Sequence, residues 1–205
     1  ATVLGNEVMM GVHKNPGEVL ARATELAQKA VVIDDSLAQA HVTLGFISIM
    51  HKRDFDKGIA EAERAVALEP NSADIVAMLA IFLTWGGHPE EAIPIFKKAM
   101  RLSPIPQPRW LFNMANAYRM MGQYEEAISI CKRIIQKQPD QLYAHIHLAA
   151  AYMDAGREEE ARAEAAEILR IDPKFSLENF AKATPRKDPA ELARMVELLR
   201  KAGLK

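Results

Sequence analysis

With a single cysteine, Cys131, in 205 residues, no disulfide can form within this chain, and its order must come from packing. Charge of one sign is also lacking. Twenty-six lysines and arginines face 27 aspartates and glutamates, giving a formal net charge of -1, with both signs interspersed. A phosphate-backbone binder needs a basic stripe that displaces counterions, so no nucleic-acid partner is expected. Long hydrophobic runs are missing too. The longest, Ile75 to Trp85, falls far short of the roughly 20 residues that span a bilayer. No secretory leader is visible, and the first residue is Ala1 rather than methionine. The chain is therefore expected to be a piece of a longer protein, with its compartment open and the cytoplasm favoured.

Catalytic and metal motifs are scarce as well. There is no glycine-rich phosphate loop and no nucleophile elbow. His145 and His147, two apart, diverge on a helix, while His13, His41, His51 and His88 have no acidic or thiol ligands at metal spacing. Neither a cofactor nor a metal is expected, and the chain is not read as an enzyme. Cys131 falls at a helix-packing position and reads as a small buried apolar side chain.

What the chain does have is a period. Gly87, Gly122 and Gly156 recur at intervals of 35 and 34 residues. Pro70, Pro104, Pro139 and Pro173 recur at 34, 35 and 34, and Ala92, Ala127 and Ala161 each follow their glycine by five. Each glycine suits a left-handed residue closing one helix. Glu90-Glu91, Glu125-Glu126 and Glu159-Glu160 then sit near the positive end of the next helix's dipole, as folding signals rather than acid-base pairs.

The period, with Leu79-Ala80 and Leu83 in one helix and Ala92, Phe96, Ala99 and Pro104 in the next, resembles the tetratricopeptide repeat. Met114, Ala115, Tyr118, Gly122, Tyr124, Ala127 and Pro139 carry the resemblance into a second unit, and Leu148, Ala149, Tyr152, Gly156, Ala161 and Pro173 into a third. An earlier unit is looser, with Leu44-Gly45, Phe55, Ala65 and Pro70, one extra residue before Phe55, and Gly58 where alanine is usual. His41, Val76, Leu111 and His145 fill the family's tryptophan position. The resemblance implies an all-α, right-handed superhelical solenoid of antiparallel helix pairs. Its expected parts are a partial repeat over 1–35, four units near 36–70, 73–106, 108–141 and 142–175, and a cap over 176–205.

Smaller features carry expectations of their own. A partial helix is expected over residues 1–13, and Ser36 is expected to cap the helix that carries Leu44. Pro94, inside the helix that Pro89 starts, should bend it between Glu90 and Phe96. Asp188-Pro189 should start a closing helix with Leu192, Met195, Val196 and Leu199 on one face.

Helical geometry separates the packing positions of each first helix from an opposite face, which in the resembled family lines a concave groove. Carried along the chain, that face comprises Val42, Phe46, Met50, Ile81, Trp85, Phe112, Asn116, Arg119, Met120, Tyr143, Ile146 and Met153. The set is apolar, with one polar spot at Asn116 and Arg119. It is expected to take an amphipathic helix or extended peptide of a protein partner, with homo-oligomer assembly as the alternative. Val42, Phe46, Ala77 and Ile81 stand where the family's carboxylate-clamp members place polar residues, so no such clamp is expected. The tail ATPRKDPAELARMVELLRKAGL, with KKAMRLSPIPQPRW and DPKFSLENF, also resembles the repeat region C-terminal to the catalytic domain of bacterial class III adenylate and guanylate cyclases. That resemblance implies a non-catalytic part of a signalling protein.

Overall fold

The computed structural model describes residues 16–205. The partial helix expected over 1–13 lies outside them. Eleven helices follow one another, with no strand among the described residues: α1 (Pro16–Ile33), α2 (Ala38–Lys52), α3 (Phe55–Leu68), α4 (Ala73–Trp85), α5 (Pro89–Leu102), α6 (Pro108–Met120), α7 (Tyr124–Lys137), α8 (Leu142–Asp154), α9 (Glu158–Ile171), α10 (Leu177–Ala183) and α11 (Pro189–Lys201). The helices α2/α3, α4/α5, α6/α7 and α8/α9 form consecutive packed pairs, and each pair stacks on the next. The first helices α2, α4, α6 and α8 also touch one another in order, so they line one side of the stack.

Three of the four turns between paired helices share one chemistry. Gly87, Gly122 and Gly156 have φ of +86°, +74° and +74°, a region costly for a side chain. The next residue's N–H then reaches back to satisfy a free carbonyl at the helix end: His88 to Leu83, Gln123 to Tyr118 and Arg157 to Tyr152, at 2.9, 2.9 and 2.8 Å. The α2–α3 turn is built differently. Arg53 takes the left-handed conformation at φ 52°, and the Asp54 N–H reaches Ser48, one residue further back than in the other turns. That wider loop absorbs the extra residue before Phe55. Asp54 then caps α3 through the Lys57 N–H.

One local expectation needs adjustment. Ser36 does not cap α2, because its hydroxyl and N–H both donate to the Asp34 carboxylate at 2.5 and 2.9 Å, and the helix starts at Ala38 after Leu37. An Asx turn has captured the serine before the helix could. The helix α5 runs unbroken through Pro94, whose ring is exposed. At the end of the chain Asp188 does cap α11, accepting from Ala190 at 2.8 Å.

The core is a continuous stripe. Second helices contribute Ala92, Phe96 and Ala99, then Ala127, Cys131 and Ile134, then Ala161, Ala165 and Ile168, all buried. Where α2 crosses α3 the backbones nearly touch. A Cβ on Gly45 would lie 2.7 Å from the Gly58 carbonyl oxygen, and one on Gly58 would lie 2.4 Å from Ile49 Cγ1. Gly58 replaces the usual alanine because Ile49 already fills that volume.

Candidate functional site

The helix α4 is buried from Ile75 through Trp85 without interruption. A helix that is apolar on every side has no face left for water. Its outer side packs on α5, and its concave side meets α2, α6 and the chain's own C-terminal segment. Trp85 lies 6.4 Å from Phe46 and 5.7 Å from Phe82 between ring centroids, and its Nε1–H donates to Asn113 Oδ1 at 3.1 Å. A buried indole N–H is thereby satisfied.

The C-terminal segment crosses this wall. Thr184 is extended after α10, and the Lys187 N–H donates 2.9 Å to the Trp85 carbonyl at the end of α4. Lys187 Nζ bonds Asp56 at 2.6 Å and Arg53 Nη2 donates to the Lys182 carbonyl at 3.1 Å, fastening the segment to the α2–α3 corner. The helix α11 then packs on α8, with Met195 and Leu199 fully buried. Finally the Leu177 N–H donates 2.8 Å to the Lys205 carbonyl, so the end of the chain folds back on α10.

Ion pairs knit this closure to the concave wall. Arg119 donates to Asp154 on α8 and to Glu191 on α11, while Arg194 on α11 holds the other Asp154 oxygen at 2.5 Å. Arg186 Nε stands 3.6 Å from Glu191. Burial pushes the Arg186 guanidinium down to about 10, a fall that Glu191 opposes and Arg119 reinforces.

The residues expected on the groove therefore divide. Val42, Phe46, Ile81, Trp85, Asn116, Arg119 and Ile146 are buried, while Met50, Phe112, Met120 and Met153 are half-buried and Tyr143 is exposed. The structure brings them to one side of the stack, but much of that side is covered by the chain itself. His147, set aside above as a metal ligand and not among the expected groove residues, stands out: its ring stacks on Phe112 at 5.6 Å, and Phe112 stacks on Tyr143 at 5.3 Å. Burial, aided by Arg186 and Arg119, drives the His147 imidazole well below its ordinary range, so it is neutral. Asn113, Arg109 and Arg186 also line this place. Asn113 sits one turn from Arg109, whose carbonyl it bonds, a spacing visible in sequence. The arrival of Arg186 has no local signature.

His41 and His145 are packed residues of matching design. Nδ1 of each faces a glutamate of the paired helix, Glu61 at 2.7 Å and Glu164 at 2.6 Å, and Nε2 of each faces a backbone carbonyl. No group of three or more potential metal ligands lies together among the described residues. No described helix is long and apolar enough to cross a membrane.

The fold and wall together define an α-helical solenoid of stacked antiparallel pairs. The chain has the fold of a tetratricopeptide-repeat solenoid, and its residues 86–144 and 118–182 match the tetratricopeptide repeat family. Among solved structures it is similar to PilW, a type IV pilus biogenesis factor, with a TM-score of 0.72 at 20% identity over 98% of this chain and 90% of that one. MamA gives 0.61 at 20% identity over 78% and 93%. YrrB, described as a tetratricopeptide-repeat protein with an unusual peptide-binding site, gives 0.57 at 17% over 86% and 90%. At these identities the likeness is one of fold. A tetratricopeptide-repeat-containing thioredoxin of Arabidopsis thaliana is 29% identical over 139 residues, 68% of this chain. A human FK506-binding protein-like sequence is 32% identical over 95 residues, 43% of this chain. The chain spans 20% and 27% of the length of these two relatives.

Proposed function

We propose that this protein is a protein-interaction scaffold whose concave wall takes an amphipathic helix, and that its own C-terminal segment occupies that wall as an intramolecular ligand. One observation carries the reading. The extended stretch through Lys187 and the helix α11 lie against the first helices through backbone, apolar and ionic contacts at once. A partner fitting the same wall would present aliphatic anchors one turn apart, as Met195 and Leu199 do, and charges for Arg119 and Asp154, as Glu191 and Arg194 do. The peptide-binding description of YrrB agrees with such a use of the fold. A signalling assembly is the setting in which we place the scaffold, on the resemblance of its tail to cyclase C-terminal regions.

The test uses a labelled peptide of residues 184–205 against the full chain and against Glu191→Gln, which weakens the docked segment but leaves the wall intact. Binding should be about tenfold tighter to the variant. If the peptide binds neither protein while both remain folded, the wall is structural only and the reading fails. Self-association is a second reading, supported by the adjacent apolar side chains of Val32 and Ile33 at the end of α1, 86% and 83% exposed. Light scattering that shows one monomeric species across a concentration series would remove it.

A further inference from the structure

Between α6, α8 and the crossing segment lies a half-open cavity of about 500 Å³, within the range of small-molecule sites. One wall is aromatic, formed by Trp85 and by Phe112 stacked between Tyr143 and His147. Two guanidinium groups, Arg109 and Arg186, reach the lining, and no carboxylate does. Three buried polar atoms there, Arg109 Nε, Arg186 Nε and His147 Nδ1, have no hydrogen-bond partner among the described residues. Buried polar atoms are nearly always bonded; Arg186 Nε already faces Glu191 Oε2 at 3.6 Å, so Arg109 Nε and His147 Nδ1 are the two that ask for a partner.

Charge accounting agrees. Four guanidinium groups, Arg109, Arg119, Arg186 and Arg194, gather here against two carboxylates: Asp154 is engaged through both oxygens, and Glu191 bonds Arg119 through Oε1 while its Oε2 stands 3.6 Å from Arg186 Nε without a hydrogen bond. Asp74 outside the cavity acts on Arg109 only at long range and is itself bonded by Gln107. His147 is neutral and can accept or donate, but it cannot balance a cation. The lining is thus basic, aromatic and partly dry.

We infer that this cavity is a binding site for a small planar aromatic carboxylate, its ring against Trp85 and Phe112 and its carboxylate on Arg109 and Arg186. The inference goes beyond the scaffold reading and needs no protein partner. Because Pro185 and Arg186 form part of the lining, such a ligand favours the docked state of the C-terminal segment.

The probes are 2-naphthoate, its neutral amide and cyclohexanecarboxylate, titrated into the full chain by calorimetry and by fluorescence of Trp85 and Trp110. The acid should bind with one-to-one stoichiometry and perturb tryptophan emission. The amide, the saturated acid and the Arg109→Met variant should each bind at least about tenfold more weakly. Equal binding of acid and amide would reduce the site to an apolar pocket and overturn the inference. So would absence of saturable naphthoate binding up to its solubility limit. Binding of an unblocked C-terminal peptide without naphthoate binding would assign the cavity to a protein ligand and overturn it as well. Should Arg109→Met fail to fold by circular dichroism, the acid-to-amide comparison on the unaltered chain still decides. Failure of the 184–205 peptide assay leaves this test intact, since the two use different ligands.

Discussion

Arg119 and Asp154, one repeat apart in sequence, form an ion pair at 2.6 Å with both side chains only 2% exposed. The closing helix completes it from outside through Arg194 and Glu191. Breaking a buried pair on one side leaves the other charge unsatisfied, which costs more than the pair is worth. Asp154→Ala should therefore lower stability by about 3 kcal/mol in urea unfolding. Arg194→Ala, which removes a side chain that is 60% exposed, should cost under about 1 kcal/mol. Equal losses in the two variants would show that Arg119 is not the group being stranded.

His41 and His145 should make stability depend on pH in a definite direction. Burial alone would lower their pKa, but the Glu61 and Glu164 carboxylates, with the Asp35 and Pro139 carbonyls, outweigh it and both rings sit above their ordinary value. With acceptors at both ring nitrogens, only the doubly protonated ring satisfies all its contacts. Protonation is favoured in the folded state, so the stabilisation is complete below the ordinary histidine range and is lost as pH rises through the raised values. His51 and His147, lowered by burial, act in the opposite sense, and a comparison with the double variant cancels them. The urea midpoint of the unaltered chain should exceed that of His41→Gln/His145→Gln by more at about pH 6 than at about pH 8. A difference independent of pH would mean that the rings pack as neutral groups.

The Gly45–Gly58 crossing gives a steric prediction. A methyl group on Gly45 meets a backbone carbonyl, which cannot rotate away, and Phe82 Cε2 at 2.9 Å. Gly45→Ala should destabilise by about 1–3 kcal/mol despite alanine's better helix propensity. Propensity alone would give a gain of up to about 1 kcal/mol, so the sign of the change in thermal midpoint discriminates.

Which parts of this were legible in sequence follows from the range of each interaction. The turns at Gly87, Gly122 and Gly156 were readable because the left-handed residue, the glutamates after it and the buried alanine all lie within a few positions. Ile81 and Trp85 were assigned a face by the same local geometry, yet what covers that face arrives from Lys187, 131 residues beyond its ion-pair partner Asp56. Nothing near Ile81 encodes that return. Ser36 departs from expectation for the opposite reason: two local motifs compete over three residues, and the Asp34 carboxylate takes both the serine hydroxyl and its N–H.

Cys131 offers a probe of how the stack opens. Its side chain is fully buried on α7, and burial, with the nearby Glu164 charge, pushes the thiol far above its ordinary value. The thiolate is the reactive form, so both access and ionisation are withheld in the folded protein. An aromatic disulfide reagent should leave the native chain unlabelled on mixing and modify one equivalent in concentrated urea. At intermediate urea the labelling rate should follow the fraction of molecules in which α7 is open. A repeat stack can part between neighbouring pairs, so that rate should rise less steeply with urea than global unfolding does. In Asp154→Ala, where the contact between α6 and α8 across α7 is weakened, labelling should speed up by about tenfold or more. Immediate labelling of the folded chain would show that α7 does not seal the thiol, and identical slopes for labelling and unfolding would show that the stack opens only as a whole.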